Sequence, residues 1–292
     1  MLPPLLAPQL CTLSPATRDG DGWLHEIKYD GWRLLARKDG NHVRLFTRGG
    51  HEWHARLPKL VRAIAALPVR RAWLDGELVY LDANGYPSFE RLAGRVRTGD
   101  ESRLFYQVWD MPWRNTRDLR RVPLLERKAQ LAEVLANAGS RVRYTAHAIG
   151  GGNAFFDRVN ALDLEGIVSK RVDSRYATGE RSRDWLKVKC WRTHHVVVGG
   201  IDRDEDAHVI ALLVGSPDGA GLRYEGRVEF GLHRVRDAWR RARPVRRSPF
   251  GDELRAGRRT WVAPRVVLEI RALPRPAGEL LRHATAVRHA AG

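Results

Sequence analysis

The sequence predicts an α+β chain in two parts, residues 1–189 and 190–292. Three observations carry this. Up to Lys189, apolar residues recur with strand and helix periods interspersed, without regular βα alternation or an internal repeat. From Cys190 onward, short β-branched runs are separated by Gly, Pro and Asp turns, with a single helical pattern among them. With 292 residues, 43% of them hydrophobic, the chain can bury one large or two ordinary cores.

The elements follow in order. Trp23, Ile27 and Tyr29 mark a strand that carries Lys28 near its end, and Asp30-Gly31 turns the chain. Strands are predicted at Trp32 to Arg37 and Val43 to Thr47. Trp53, Leu57, Leu60, Val61, Ile64 and Ala65 have helical spacing, predicting a helix over 53–66 that Pro68 closes. Ala72 to Leu81 reads as a strand interrupted at Asp75-Gly76, Phe89 to Val96 as a short helix or turn, and Leu104 to Trp109 as a strand. Pro123 is expected at the first position of a helix whose apolar face is Leu124, Leu125, Leu131, Val134 and Leu135. Gly150 to Asn153 is a loop before a helix ending near Leu164, and Ile167-Val168 and Trp185 to Val188 are short strands. In the second part, strands are predicted at Val196–Val198, Val209–Val214, Leu222–Phe230 and Trp261–Ile270, with a basic helix over 231–242. Five or so short strands and one helix match a small closed barrel of the OB type. Segment 240–259 holds eight arginines and reads either as a solvated loop or as part of a DNA clamp.

Lys and Arg outnumber Asp and Glu by 51 to 34, a formal charge of +17, which points to a polyanionic partner or to solubility at high charge. The two cysteines, Cys11 and Cys190, are far apart and form no Cys-x-x-Cys pair, so neither a zinc ribbon nor a disulfide framework is expected, and a reducing cytoplasm fits. The apolar opening Met1 to Pro8 is broken by prolines and reads as an extended arm rather than a signal peptide. No run approaches the length of a membrane span, and no membrane partner is expected. There is no Gly-x-x-x-x-Gly-Lys-Ser/Thr loop, which excludes a P-loop enzyme; the glycine clusters have a sufficient reading as turns.

One ordered set of motifs remains. Lys28-x-Asp30-Gly31-x-Arg33 is followed by Thr47-Arg48-Gly49-Gly50, Leu74 to Leu78 around Glu77, and Tyr106-Gln107-Val108-Trp109-Asp110. Glu165 to Arg171 and Asp184 to Lys189 complete it. Singly, each member has a plain structural reading. Lys28 could be a surface lysine, Glu77 a strand-end carboxylate, Trp109 a core aromatic, and Lys187 and Lys189 a solvated strand face. In this order the set resembles the covalent nucleotidyltransferases: ATP-dependent DNA ligases, RNA ligases and mRNA capping enzymes. The full wording resembles the ligase domain of bacterial end-joining DNA ligases and their stand-alone relatives, from about Ala7 to about Glu269.

The resemblance implies a nucleotidyltransferase domain over residues 1–189, with antiparallel sheets and flanking helices, then an OB-fold domain over 190–292. It implies that Lys28 attacks the α-phosphate of ATP and carries AMP. Glu26 would meet the adenine edge, Trp109 would stack on the base, and Arg33 and Arg48 would face the ribose or the 5′-phosphate of a nick. Glu77 would bind the ribose hydroxyl and, with Glu165, a Mg²⁺ or Mn²⁺ ion. Lys170, Lys187 and Lys189 would contact phosphate oxygens. The residue chemistry is compatible. Lys187 and Lys189 alternate on a strand and share a face, and neighbouring lysines favour the neutral amine that a nucleophile needs. Hard Mg²⁺ takes one or two carboxylates plus phosphate oxygens.

Only 27 residues precede Lys28, which favours ATP over NAD and leaves no room ahead of it for an encircling DNA-binding domain. Nicked duplex DNA is the expected substrate. The chain is expected to be monomeric and nucleoid-associated, with end-joining or gap-repair proteins such as Ku or a primase-polymerase as partners by family analogy. The alternatives are a catalytically weak nick-binding module of the same fold, or an RNA ligase or capping-type enzyme. The tail keeps Leu281-Arg282-His283 of the family's closing pattern but not its terminal Asp-x-Lys, leaving Arg282 and Arg288 as candidates to steer pyrophosphate.

Overall fold

The computed structural model describes residues 2–219, 221–251, 254, 259–276 and 278–290. The chain divides into two compact units, Met1–Lys189 and Cys190–Gly292. The first unit holds β1 (Leu10–Leu13), β2 (Trp23–Ile27), β3 (Trp32–Asp39), β4 (His42–Thr47), α1 (Pro58–Ala65) and β5 (Arg71–Tyr80). These are followed by α2 (Phe89–Thr98), β6 (Leu104–Arg114), β7 (Arg117–Asp118), α3 (Leu124–Leu135), β8 (Val142–Tyr144), β9 (Ala148–Ile149), α4 (Gly152–Ala161), β10 (Gly166–Arg171) and β11 (Arg181–Lys189). They form two sheets. The first has the order β1-β11-β10-β2-β9; the second has the order β4-β3-β5-β6-β7, with β8 beside β6.

Period-two alternation sorts the second sheet into two faces. Leu34, Ala36, Leu74, Leu78 and Tyr106 pack with α1, α2 and α3 in one core. Leu35, Trp73 and Trp113 point the other way and meet Leu24 and Trp185 of the first sheet in a second core. The spaces between and beside these inter-sheet side chains belong to whatever shares their parity. Glu26 and Lys28 share it with Leu24, Arg33 with Leu35, Glu77 with Trp73, and Lys187 and Lys189 with Trp185.

Several boundaries depart from the sequence reading. The helix over 53–66 begins at Pro58, because a proline is tolerated in the first helical turn but not inside a helix; His54–Arg56 ahead of it is a 3₁₀ turn. Phe89–Thr98 is a full helix, capped by the Ser88 hydroxyl on the Arg91 N–H and ended by Gly99 at φ 73°. Pro123 is the N-cap of α3 rather than its first residue, and Leu125 is 37% exposed instead of lying on the buried face. The helix before Glu165 stops at Ala161. The strand break expected at Asp75-Gly76 is a bulge in the partner strand: Asp75 pairs with Asp110 and Gly76 with Val108, leaving Trp109 as the extra residue.

The second unit contains β12 (Arg192–Arg203), β13 (Val209–Asp218), β14 (Gly221–Val228), α5 (Arg236–Arg240), β15 (Arg259–Ala272) and β16 (Thr285–His289). Their order is β14-β13-β12-β15-β16. Parallel bridges from Gly226 to Leu281 and from Phe230 to Thr285 bring the β16 end back to β14. This is the closed five-stranded barrel expected of an OB-fold. The basic helix expected over 231–242 is shorter, a 3₁₀ turn at Leu232–Val235 running into α5. Of the arginine-rich segment, Arg255 and Arg258 lie outside the described residues. Among the described residues, no helix is long and apolar enough to cross a membrane.

Candidate active site

A cavity of about 570 Å³ opens between the two sheets of the first unit. Glu26, Lys28, Arg33, Arg48, Glu77, Trp109, Lys170 and Lys187 all line it. Glu165 reaches it through Lys28, and Lys189 lies two residues beyond Lys187 on the same face of β11. The ten residues singled out in the first unit are therefore gathered around one space, whereas Arg282 and Arg288 belong to the second unit, where Arg288 pairs with Glu269 at 2.6 Å.

Lys28 leaves β2 just past its last residue, and its backbone N–H donates to the Gly166 carbonyl at 2.8 Å. Its side chain is 22% exposed and its ammonium lies 2.5 Å from Glu165 Oε2. The turn that follows must pass close to β5: a Cβ on Gly31 would sit 2.2 Å from the Leu78 carbonyl oxygen. The glycine of Asp30-Gly31 is thus required by the approach of two backbones. Gly166 has φ 148°, and a Cβ there would meet the Val188 carbonyl at 2.1 Å, so Glu165 enters β10 against β11 only with glycine next to it.

The charged groups fall into two sets. The first surrounds Lys28. Burial is the largest influence lowering Lys187, followed by Lys28. Burial pulls Lys189 down to about 8, with Lys28 and Lys187 adding to it and Glu165 opposing. Glu77 is pushed up to about 8 by burial, reinforced by Glu165 and Asp75 and resisted by Lys28 and Arg33. A site that weakens both its ammonium ions and its carboxylate is short of compensating charge of each kind, as expected where phosphates and cations bind.

The second set surrounds Glu26, which is 2% exposed. One carboxylate oxygen takes the Lys128 ammonium, and the other takes Lys170 at 2.6 Å. Lys170, also 2% exposed, lies 4.2 Å from the Trp185 ring centre and 5.3 Å from that of Trp109. Burial lowers its pKa, Lys128 adds to this, and Glu26 opposes. Lys170 was expected on phosphate oxygens; here it is committed to a buried carboxylate and two indole faces. Arg33 is committed as well. It holds Asp75 through Nε at 2.9 Å and Nη2 at 2.5 Å, and lies 5.2 Å from the Trp109 ring centre. The Tyr176 hydroxyl donates to the same Asp75 at 2.7 Å. Arg48 is exposed on the loop after β4, where the Gly50 N–H closes a turn on the Thr47 carbonyl at 2.9 Å.

The sequence reading missed Lys128 and Arg127. Both lie on the buried stripe of α3 with Leu124, Leu131, Val134 and Leu135. Two basic residues on an apolar stripe require buried acids. Those acids are Glu26 for Lys128 and Asp110 for Arg127, the latter joined by bonds of 2.8 and 2.7 Å. That placement was the available signal.

For a divalent cation, Glu77 and Glu165 are oxygen donors of the right kind, and the raised Glu77 carboxyl is under-compensated. Among the described residues, no group of three or more His, Cys, Asp or Glu side chains converges. The protein thus fits a hard cation that completes its shell with water and substrate oxygens.

The family model described as ATP dependent DNA ligase domain matches residues 4–189. The multifunctional non-homologous end joining protein LigD of Pseudomonas aeruginosa is 36% identical over 97% of this chain and 35% of its own length. The chain spans about a third of the length of such relatives; for the Mycolicibacterium smegmatis LigD, 32% identical, the share is 37%. Among solved structures, a mycobacterial DNA ligase D complexed with ATP and MES is similar at TM-score 0.60 and 32% identity, covering 97% of this chain and 94% of that one. The ligase domain of the M. tuberculosis LigD is similar at TM-score 0.58 and 31% identity, covering 98% and 95%. With the motifs assembled around one inter-sheet cavity and the matching model spanning nearly all of the first unit, this chain belongs to the ATP-dependent DNA ligase family.

Proposed function

We propose that this chain seals 5′-phosphate/3′-hydroxyl nicks in duplex DNA through a lysyl-AMP intermediate on Lys28. The observation that carries the reading is the Lys28 ammonium, largely sheltered in the cavity, 2.5 Å from Glu165 and close enough to Lys187 and Lys189 to help lower both. The Lys28 ammonium releases one proton to solvent, the neutral amine attacks the α-phosphorus of ATP, and the nitrogen releases a second proton to solvent as the bond forms. A P–N bond forms, the α–β bridge breaks, and pyrophosphate leaves. The 5′-phosphate of the nick then attacks the same phosphorus, the P–N bond breaks, and the amine regains a proton. The 3′-hydroxyl finally attacks the activated 5′-phosphorus and AMP departs. Each step moves a phosphoryl group and asks mainly for positioning and charge neutralisation. Lys187 and Lys189 supply that charge, and Arg48 faces the incoming DNA. Trp109 stacks on the base beside Glu26, and Glu77 takes the ribose hydroxyl. Glu77 and Glu165 would hold Mg²⁺ or Mn²⁺, which supplies further neutralisation of the phosphate oxygens.

The end-joining names of the relatives support a role in double-strand break repair. To this reading we add, by family analogy alone, break-binding or primase-polymerase partners, a nucleoid-associated place in the cytoplasm and a monomeric state. The direct test is a labelled nicked duplex incubated with ATP and a divalent cation. Ligated product from the wild type and none from Lys28→Ala is expected. No product from the wild type, or equal product from Lys28→Ala, would overturn the reading.

A further inference from the structure

Lys128 is wholly buried on α3. A lysine is almost never buried whole unless paired, and a buried pair contributes little net stability. Its contacts suggest another use. The ammonium binds the Glu26 carboxylate, donates to the Thr145 carbonyl at 3.1 Å and the Trp109 carbonyl at 3.4 Å, and lies 4.7 Å from the Tyr144 ring centre. One cation thus ties together β2, β6 and the segment after β8. Two of its partners, Glu26 and Trp109, line the cavity. With Lys170 on its second oxygen, Glu26 is held at both ends and presents only acceptor lone pairs. Trp109 Nε1 and Trp185 Nε1, on two residues that line the same cavity, are buried without a hydrogen-bond partner among the described residues. Buried polar atoms are nearly always satisfied, so this end of the cavity is shaped for a ligand with donors and acceptors of its own.

We propose that Lys128 is a positioning residue that sets the base preference of the nucleotide pocket, by fixing Glu26 as an acceptor for an exocyclic amino group. The inference rests on the nucleotide-pocket reading above. A purine with a 6-amino group can donate to the fixed carboxylate. A purine with a 6-carbonyl sets lone pairs against lone pairs. Without Lys128, Glu26 keeps one ammonium partner and one freed oxygen, so the carboxylate can turn away from the base edge and no longer holds its lone pairs on the 6-position. Lys128 therefore acts on selectivity through Glu26 without touching the base.

The test is single-turnover adenylation of Lys28 with ATP and with inosine triphosphate, in the wild type, Lys128→Met and Lys128→Arg. The wild type should favour ATP. Lys128→Met should lower the ATP-to-inosine-triphosphate ratio of kcat/KM by about tenfold or more, the worth of one hydrogen bond to a charged group. Lys128→Arg keeps the charge but cannot place it at the same point, so the ratio should fall by a smaller factor; this variant carries the test if Lys128→Met fails to fold. A purely structural role would reduce both nucleotides together and leave the ratio unmoved. A ratio unchanged in both variants, or no base preference in the wild type, would overturn the inference alone. No AMP on wild-type Lys28 would overturn the ligase reading and this inference with it.

Discussion

Replacing Glu77 by glutamine should stabilise the ligand-free protein at alkaline pH while impairing its activity. The Glu77 carboxyl is raised from 4.5 to about 8, chiefly by burial. Between those values the folded chain holds a proton that the unfolded chain has released. Stability therefore falls as pH rises through this window, and the loss is complete above about pH 8. At about 1.4 kcal/mol per pH unit, full burial would put the cost near 5 kcal/mol. Glu77 keeps part of its surface in solvent, so a recoverable cost of about 1–3 kcal/mol is expected after screening. For a domain of this size that corresponds to roughly 2–10 °C in Tm. The assay is a series of thermal melts from pH 5 to 9, without divalent cation, on the wild type and Glu77→Gln. The lysines whose pKa values are lowered titrate in both proteins and cancel in the difference. The two Tm curves should meet near pH 5 and separate until about pH 8, with Glu77→Gln the more stable. Parallel curves across the range would show that Glu77 is not held under-compensated.

Three further outcomes are expected. Trp109→Ala should raise the ATP concentration needed for adenylation by roughly 5–150-fold, the worth of one aromatic–base stack, with a smaller effect on sealing of pre-adenylated nicks; equal loss of both activities together with a fall in Tm would mark Trp109 as core. Lys189 is lowered to about 8, so adenylation that depends on its charge should decline as pH rises through about 8, and Lys189→Arg should move the decline upward; identical pH profiles would contradict this. Nick affinity should fall steeply with salt, with a slope of roughly −0.9 in log K against log salt per phosphate contacted; a flat response would assign the +17 charge to solubility.

Much of the cavity was legible because it is built on strands. A period-two side-chain repeat carries its own geometry, so Lys187 and Lys189 share a face whatever the strand pairs with. Gly31 was legible only as a turn residue; that it and Gly166 stand where a side chain would collide with a neighbouring backbone needed the strand pairing. What escaped was non-local. The charge of Lys170 was readable, but its partner Glu26 sits across a strand pair, so a phosphate role was assigned to a cation already committed. Trp109 was readable as an aromatic at a strand end, but not as the bulged residue opposite Asp75-Gly76. Strand β16 was missed because Thr285–His289 is short and basic and gains its place only by pairing with β15. Lys128 and Arg127 were visible as charges on an apolar helix face, and their meaning needed the acids 102 and 17 residues away.

The central claim is that Lys28 becomes covalently charged with AMP. Intact-mass measurement after incubation with ATP and a divalent cation, followed by peptide mapping, tests it most directly. The account predicts a gain of one AMP per chain, located on Lys28, discharged by added pyrophosphate and absent from Lys28→Ala. A chain that stays unmodified under conditions where it joins nicks, or an AMP that persists in Lys28→Ala, would contradict it.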